Sequence, residues 1–153
     1  MTLTLHILNK TFSSWSMRAW LCAMQTGAPF TEVVHLVQDP AYPAGLRAVS
    51  PTGLVPLLVD DAIVVHESLA IAEYLAERFP ESRLWPEDRA ARAHARAISA
   101  EMPAGFHELR RSCSMNLALR TRLASDPATR RDVDRFEAIV RDARTRFGAG
   151  GPF

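Results

Sequence analysis

The residues best suited to chemistry in this 153-residue chain lie in three short segments, of which the first is Ser13-Ser14-Trp15-Ser16. This segment falls between an apolar run and a helical pattern, so it marks the start of a helix. Free N–H groups and the positive end of the helix dipole meet there. Together with the serine hydroxyls they would stabilise an anion, including a bound thiolate, whose pKa falls in such a setting. The alternative is that one serine only caps the helix, because capping serines are common.

The second segment is the run Ser50-Pro51-Thr52-Gly53-Leu54-Val55-Pro56. Pro56 opens an apolar strand pattern, where a missing N–H is tolerated. A cis peptide bond before Pro56 would leave the N–H and C=O of Val55 free to pair with an extended peptide. The alternative is a trans bond in a tight turn, since only about 5–6% of X–Pro bonds are cis. The segment therefore predicts either a peptide-pairing edge or an ordinary turn.

The third segment is Glu67-Ser68, which begins another helical pattern directly after a strand pattern. The Ser68 hydroxyl and the free N–H groups of the helix start suit a carboxylate. The Glu67 carboxylate suits an ammonium group. The pair would together recognise an amino-acid head group. The alternative is a capped helix start in which the acidic residue complements the helix dipole.

The first half of the chain must supply the elements that position these segments. Alternating and helical patterns predict a β-α-β-loop-β-β-α order. A single helix between the first two strands implies that they are parallel, and Asp60-Asp61 marks the turn of an antiparallel hairpin. The predicted strands are 3–8, 30–36, 55–59 and 62–65, the predicted helices are 15–24 and 67–79, and 38–53 is irregular with a short helix at 44–49.

The second half of the chain predicts helices only. One helix runs from residue 88 to about residue 123, with a kink at Pro103. The other begins at Asp126-Pro127 and ends at Gly148, and the chain closes on a turn at residues 150–153. Each helix carries an apolar stripe that should be buried. The stripes are Ala95, Ile98, Met102, Phe106, Leu109 and Cys113 in the first helix, and Val133, Phe136, Val140, Ala143 and Phe147 in the second.

Composition narrows the classes of function. The chain has 18 Lys and Arg residues against 17 Asp and Glu residues, a net charge of +1, so no overall field attracts nucleic acid or a membrane. Its two cysteines, Cys22 and Cys113, are interpreted as buried apolar thiols in a protein of the reducing cytoplasm. The histidines lack the spacing of metal ligands, so no metal is expected. A proline-containing linker at 81–87 divides the predicted domains 1–80 and 88–153.

The order and spacing of the three segments resemble the glutathione S-transferase superfamily, in particular its bacterial serine-type, zeta-like members. The resemblance extends beyond the third segment to the residues that follow it, Leu69-Ala70-Ile71-Ala72-Glu73-Tyr74-Leu75. The likeness covers residues 1–80 and continues more loosely beyond them. It implies a thioredoxin-like α/β domain followed by part of an all-helical domain, because the helical domain of relatives continues past the turn that ends this chain.

The resemblance also implies roles for individual residues. Ser13, or failing that Ser14, would hydrogen-bond the glutathione sulfur, while Trp15 would either shape the site or pack beside it. The residue that holds the glycyl carboxylate stays open between Arg47 and His35, because Leu54 stands where many relatives carry a basic residue. The remaining contacts would be the Val55 backbone and cis Pro56 on the cysteinyl unit, and Glu67 and Ser68 on the γ-glutamyl end.

The function implied is that of a cytoplasmic, homodimeric glutathione transferase with a role in detoxification. Glutathione would be the co-substrate, and its thiolate would attack or isomerise a small electrophile. The alternative is a glutathione-transferase-like scaffold that binds proteins without catalysis, because a fold does not fix a function. A thiol–disulfide enzyme is disfavoured, since this chain has serine where such an enzyme needs a cysteine.

Overall fold

The computed structural model describes residues 3–122 and 126–148, apart from the side chain of Pro43. The described residues form two compact units. The first unit ends at Leu84 and the second begins at Trp85.

The first unit is a four-stranded mixed sheet with helices, in the spatial strand order β2-β1-β3-β4. Strands β1 and β2 are parallel, whereas β3 is antiparallel to both β1 and β4. This order and pairing confirm the predicted thioredoxin-like arrangement. The elements are β1 (Leu3–Ile7), α1 (Ser14–Gln25), β2 (Phe30–Val34), α2 (Tyr42–Val49), β3 (Leu57–Asp60), β4 (Ile63–His66), α3 (Ser68–Arg78) and a 3-10 turn (Pro80–Ser82).

One face of the sheet carries the hydrophobic core. Alternate residues of β1 are buried because successive side chains of a strand point to opposite faces. Leu5 is fully buried and pairs with Leu58 of β3, which belongs to the same core. Helices α1 and α3 cover this face. The core residues are Leu3, Leu5, Ile7, Ala19, Ala23, Leu58, Ile71 and Leu75.

Helix α2 begins on the opposite face of the sheet. His6 lies between two core residues of β1, so its side chain points away from the core. The His6 ring stacks on that of His35, which in turn meets the ring of Tyr42 edge-on at the start of α2. The short helix predicted at 44–49 is confirmed, and it begins two residues earlier than predicted, at Tyr42. A proline in the first turn suits this earlier start.

The second unit contains α4 (Arg89–Ala104), α5 (His107–Ser112) and α6 (Pro127–Phe147). The prediction of one helix from residue 88 to about 123 is wrong. The chain leaves the helix at Gly105, which is extended, and Phe106 is left-handed with φ of 57°. The Arg110 guanidinium donates to the carbonyl oxygen of Met102 at 2.8 Å, so a side chain satisfies the exposed helix end. Residues 113–122 are not helical, and residue 123 lies outside the described part.

Helix α6 begins and ends as predicted. The Asp126 carboxylate accepts hydrogen bonds from the N–H groups of Ala128 and Thr129, and Gly148 follows the last turn. The predicted buried stripe is partly wrong, because Phe136 and Val140 are 45% and 40% exposed.

The contacts of α6 lie partly beside the predicted stripe. Its buried residues are Thr129 and Ile139, and the nearby Asp132 accepts a hydrogen bond from the N–H of Leu109 in α5. At about 3.6 residues per turn, Asp132 and Ile139 lie to one side of Phe136 and Val140, so the packed face of α6 extends beyond the stripe on that side. Cys113, predicted to be buried, is exposed because α5 ends one residue before it. The predicted turn at 150–153 lies outside the described residues, and no described helix is long and apolar enough to cross a membrane.

Candidate functional site

One end of the sheet, which we call the site edge, collects all three candidate segments. It is the end at which β1 and β4 finish and β3 begins. His6 of β1 is the partner of Leu57 in β3, and Leu57 is in turn the partner of His66 in β4. Helix α1 follows β1 and α3 follows β4, so both helices begin at this edge. The serine segment, Val55-Pro56 and Glu67-Ser68 therefore follow or precede neighbouring strands at one edge.

The width of the site edge suits a short extended peptide. Neighbouring strands lie about 4.8 Å apart, so β1 and β4, with β3 between them, are separated by roughly 10 Å. Three residues of extended chain span about 10 Å. A tripeptide lying across the ends of these strands would reach from the start of α1 to the start of α3.

The serine segment is built around a buried hydroxyl. Ser13 is the N-cap of α1, and its Oγ accepts a hydrogen bond from the Ser16 N–H at 3.3 Å. The Ser13 hydroxyl also donates to Ser16 Oγ at 2.9 Å. Ser16 is fully buried, and its Oγ accepts a further hydrogen bond from the N–H of Leu8 at 3.0 Å. The Ser14 hydroxyl, half-buried in the first turn, has no hydrogen-bond partner among the described residues.

The Val55–Pro56 peptide bond is cis, so the less frequent of the two alternatives is the observed one. Both residues precede β3, which begins at Leu57, rather than forming part of the strand as predicted. No described residue hydrogen-bonds to the N–H or the C=O of Val55. The Ser50 hydroxyl donates to the Leu54 carbonyl at 2.9 Å and fixes the loop just before it. A backbone donor and acceptor are thus available beside β1.

Glu67 and Ser68 form the start of α3. Glu67 has φ of 72° and ψ of 130°, an uncommon conformation for a residue other than glycine. Its exposed side chain does not cap the helix and has no hydrogen-bond partner in the described residues. Ser68 is 7% exposed. Backbone strain of this kind concentrates at functional sites, which supports a role for Glu67 beyond helix capping.

The charges at the start of α1 favour an anion. Helix α1 has no acidic residue in its first turn, so the positive end of its dipole stays uncompensated, whereas α3 has the Glu67 carboxylate at its N-cap. Lys10 pairs with Glu32 and lies over the Trp20 ring. Arg47 is exposed and has no hydrogen bond or ion pair to a described residue.

Arg47 and His35, the two residues left open for a carboxylate, differ in their surroundings. The Arg47 side chain lies along Gly53, whose Cβ position would be 3.3 Å from Arg47 Cγ and 3.7 Å from Nε. Its guanidinium therefore lies beside the loop that leads to Val55. His35 Nε2 is instead 3.0 Å from His6 Nδ1, and its ring is held between two others.

Trp15 and Cys22 both pack against neighbouring side chains. The Arg18 guanidinium lies 4.4 Å from the centre of the Trp15 ring. Cys22 packs against the core, and burial raises the pKa of its thiol, which makes it a poor nucleophile. Within residues 3–122 and 126–148, no three His, Cys, Asp or Glu side chains are grouped to hold a metal ion.

Sequence reasoning placed Ser16 in the serine segment without a role of its own, and left Arg47 and His35 as alternatives. Ser16 lies three residues after Ser13, which is the position at which an N-cap residue meets the backbone of its helix. That spacing could have indicated a contact between the two serines. The contact between Arg47 and Gly53 could not be predicted from the sequence, because it depends on where α2 docks.

A family model, that of the glutathione S-transferase N-terminal domain, matches residues 12–78. A probable maleylacetoacetate isomerase of Caenorhabditis elegans is 38% identical over 96 residues, which cover 63% of this chain and 44% of that protein. One from Vibrio cholerae is 33% identical over 81 residues, covering 52% of this chain and 38% of that protein. The chain thus spans less than half the length of these relatives.

Solved structures show the same fold. A Tau class glutathione S-transferase from mango has a TM-score of 0.73 and 19% identity, covering 99% of this chain and 66% of that one. A glutathione transferase homologue from Sulfitobacter, with bound glutathione, has a TM-score of 0.64 and 20% identity, covering 99% of this chain and 75% of that one. At these identities the likeness concerns the fold, which includes a helical region after the mixed sheet.

Proposed function

We propose that this chain, which carries a glutathione S-transferase N-terminal domain at residues 12–78, binds glutathione across the site edge and activates its thiol. The observation that supports this most is the register linking His6, Leu57 and His66, which brings the three candidate segments to one edge. The match to the glutathione S-transferase N-terminal domain and the relatives named as probable maleylacetoacetate isomerases together support a glutathione-dependent transfer or isomerisation.

The proposed ligand lies extended with its γ-glutamyl end at the start of α3. The Ser68 hydroxyl and the free N–H groups of the first turn bind the α-carboxylate. The Glu67 carboxylate, which has no partner in the described residues, binds the ammonium group. The cysteinyl unit pairs with the free N–H and C=O of Val55, next to cis Pro56.

The chemistry proposed is activation of the thiol by electrostatics and positioning. The sulfur lies at the start of α1, where the helix dipole favours the thiolate over the thiol. Ser13 donates a hydrogen bond to the thiolate, with Ser14 as the second choice and Trp15 beside them. The proton lost by the thiol passes to solvent. The thiolate then attacks or isomerises a small electrophile, and the protein contributes positioning rather than a covalent step.

We assign the glycyl carboxylate to Arg47 rather than to His35. Arg47 combines a guanidinium without a partner in the described residues with a fixed stem along Gly53. His35 Nε2 is engaged by His6. The glycyl monoethyl ester of glutathione should therefore bind about fivefold more weakly than glutathione, and the difference should vanish in Arg47→Met. An Arg78→Gln variant removes the same charge at the opposite end of the sheet and should keep the difference.

We further propose a homodimer in the cytoplasm, with a role in detoxification of electrophiles. The dimer is proposed from the resemblance to the glutathione S-transferase superfamily, whose N-terminal domain model matches residues 12–78. Neither Cys22 nor Cys113 forms a disulfide, which suits a reducing compartment.

The experiment that tests the proposed function is titration of the bound thiol, followed by thiolate absorbance. The pKa of glutathione should fall on binding to the wild type, and Ser13→Ala should raise it again with little loss of affinity. Ser14→Ala is the matched comparison and should have the smaller effect. Binding without any fall in the pKa would contradict activation of the thiol, and a lack of retention on immobilised glutathione would favour the non-catalytic scaffold.

A further inference from the structure

Ser16 is a buried serine whose hydroxyl contacts that of Ser13, the proposed partner of the sulfur. Its side chain is fully buried in the first turn of α1. Its Oγ accepts two hydrogen bonds, from the Leu8 N–H at 3.0 Å and from the Ser13 hydroxyl at 2.9 Å. It therefore connects the end of β1 to the N-cap of α1, directly behind the proposed position of the sulfur.

The protons of this pair can be counted. A serine hydroxyl has one proton to donate and two lone pairs with which to accept. Both lone pairs of Ser16 Oγ are used, and no described residue accepts its proton. The proton of Ser13 is directed to Ser16, so in this arrangement Ser13 has none to offer a ligand.

We propose that Ser16 is a positioning residue, which donates a hydrogen bond to Ser13 Oγ while the Ser13 hydroxyl donates to the thiolate. When the thiolate arrives, the Ser13 O–H turns from Ser16 to the sulfur. The Ser16 O–H then donates to Ser13 Oγ, and the Leu8 N–H continues to donate to Ser16 Oγ. The pair keeps its mutual hydrogen bond and gains one to sulfur. No covalent bond forms or breaks, and the proton of the thiol has already passed to solvent.

Reversing the hydrogen bond between Ser13 and Ser16 strengthens the hydrogen bond that Ser13 donates to the sulfur. A hydroxyl that itself accepts a hydrogen bond becomes a better donor, because hydrogen bonds in a chain polarise one another. Ser13 Oγ would accept from both the N–H and the O–H of Ser16 while donating to the sulfur. Because Ser16 is buried and held by Leu8, it delivers this bond from a fixed position.

The proposal rests on the proposed function and is tested by a double-mutant cycle of Ser13→Ala and Ser16→Ala, read as the pKa of bound glutathione. Ser16→Ala should raise that pKa by roughly half a unit to one unit without changing glutathione affinity. In the Ser13→Ala background it should add nothing, because Ser16 acts through Ser13. Ser16→Cys replaces the hydroxyl with a somewhat larger thiol, which is a weaker donor, and should give an intermediate shift. Ser82→Ala, which also removes a hydrogen-bonded hydroxyl, is the control and should give no shift.

The outcomes separate the two proposals. If the wild type leaves the pKa of glutathione unchanged or does not bind it, the proposed function is wrong and the inference falls with it. If the wild type lowers the pKa but both Ser16→Ala and Ser16→Cys leave it lowered, only the inference is wrong. A loss of affinity without a change in the pKa would give Ser16 a structural role alone. Equal shifts in both backgrounds would likewise contradict action through Ser13.

Discussion

The two units of this molecule are stabilised in different ways. The first unit buries a continuous apolar cluster in which Leu5, Ile7, Leu58, Ile71 and Leu75 are fully inaccessible. In the described part of the second unit, the buried residues are Ala91, Phe106, Thr129 and Ile139. The first unit therefore resists changes of surface charge, whereas the second depends on polar contacts between its helices.

Those polar contacts are specific. The Arg135 guanidinium contacts both carboxylate oxygens of Glu101, joining α6 to α4. Asp132 accepts from the N–H of Leu109 at 3.0 Å, joining α6 to the first turn of α5. Paired polar groups are costly to break because the remaining partner is left unsatisfied. Truncating a polar side chain should thus harm the second unit, and truncating an apolar one should harm the first.

The largest effect is expected from Leu5→Ala. It removes a fully buried side chain from the centre of the sheet and should lower the free energy of unfolding of the first unit by about 3 kcal/mol. Val140→Ala in α6 is the matched change and should cost the second unit under about 1 kcal/mol, because Val140 is 40% exposed. Hydrogen exchange of amides in β1 and α6 measures both. Similar losses in the two units would contradict the comparison.

Asp132→Ala should have the next largest effect, now in the second unit. It leaves the N–H of Leu109 without its acceptor and should cost about 1–2 kcal/mol, seen as faster exchange in α5. Asp134→Ala removes the same charge from an exposed pair with Arg130 and should cost less than about 0.5 kcal/mol. Equal effects of the two variants would show that lost charge, rather than the lost helix contact, determines stability.

The smallest effect is a difference in how the units respond to pH. Burial, and then the charge of His35, lowers the pKa of His6 below 6.5. The folded first unit therefore binds fewer protons than the unfolded chain, so its stability is full above pH 6.5 and declines as the pH falls below it. His6→Gln should flatten this decline in β1 amide exchange.

The second unit should respond at lower pH. The hydrogen bond from Arg135 lowers the pKa of Glu101 below 4.5, and the N–H of Thr129 lowers that of Asp126 below 3.8. Both carboxylates favour folding while ionised, so their contribution is present above these values and lost below them. If the amides of α6 already lost protection from hydrogen exchange between pH 6.5 and 5, the prediction that the second unit responds at lower pH than the first would be contradicted.

The sequence predicted the first unit better than the second, for a physical reason. In the first unit, local signals and tertiary packing agree: apolar runs became strands, and the serine before α1 became its N-cap. In the second unit they conflict. The stripe that includes Phe136 and Val140 predicted the buried face of α6, but Asp132, which lies to one side of that stripe, makes the contact with the N–H of Leu109 in α5. Contacts of that kind depend on docking, which a periodic pattern does not contain.

The candidate site could be predicted only in part. The three segments stood out because each combines a turn or cap with polar residues. Their meeting at one edge depends on the partners of Leu57, which no single segment specifies. The roles proposed for Arg47 and Ser16 depend on neighbours six and three residues away, whose contacts exist only once the helices are in place.

Binding across the site edge is tested most directly by mapping the backbone amides that respond to glutathione, using NMR of the full chain. We expect the amides of Ser14, Val55 and Ser68 to shift together and to saturate at one ligand concentration. The amides of Asp61 and Ala62, in the turn at the opposite end of the sheet, should stay unchanged. Shifts confined to one of the three segments, or centred on that opposite turn, would contradict binding across the site edge.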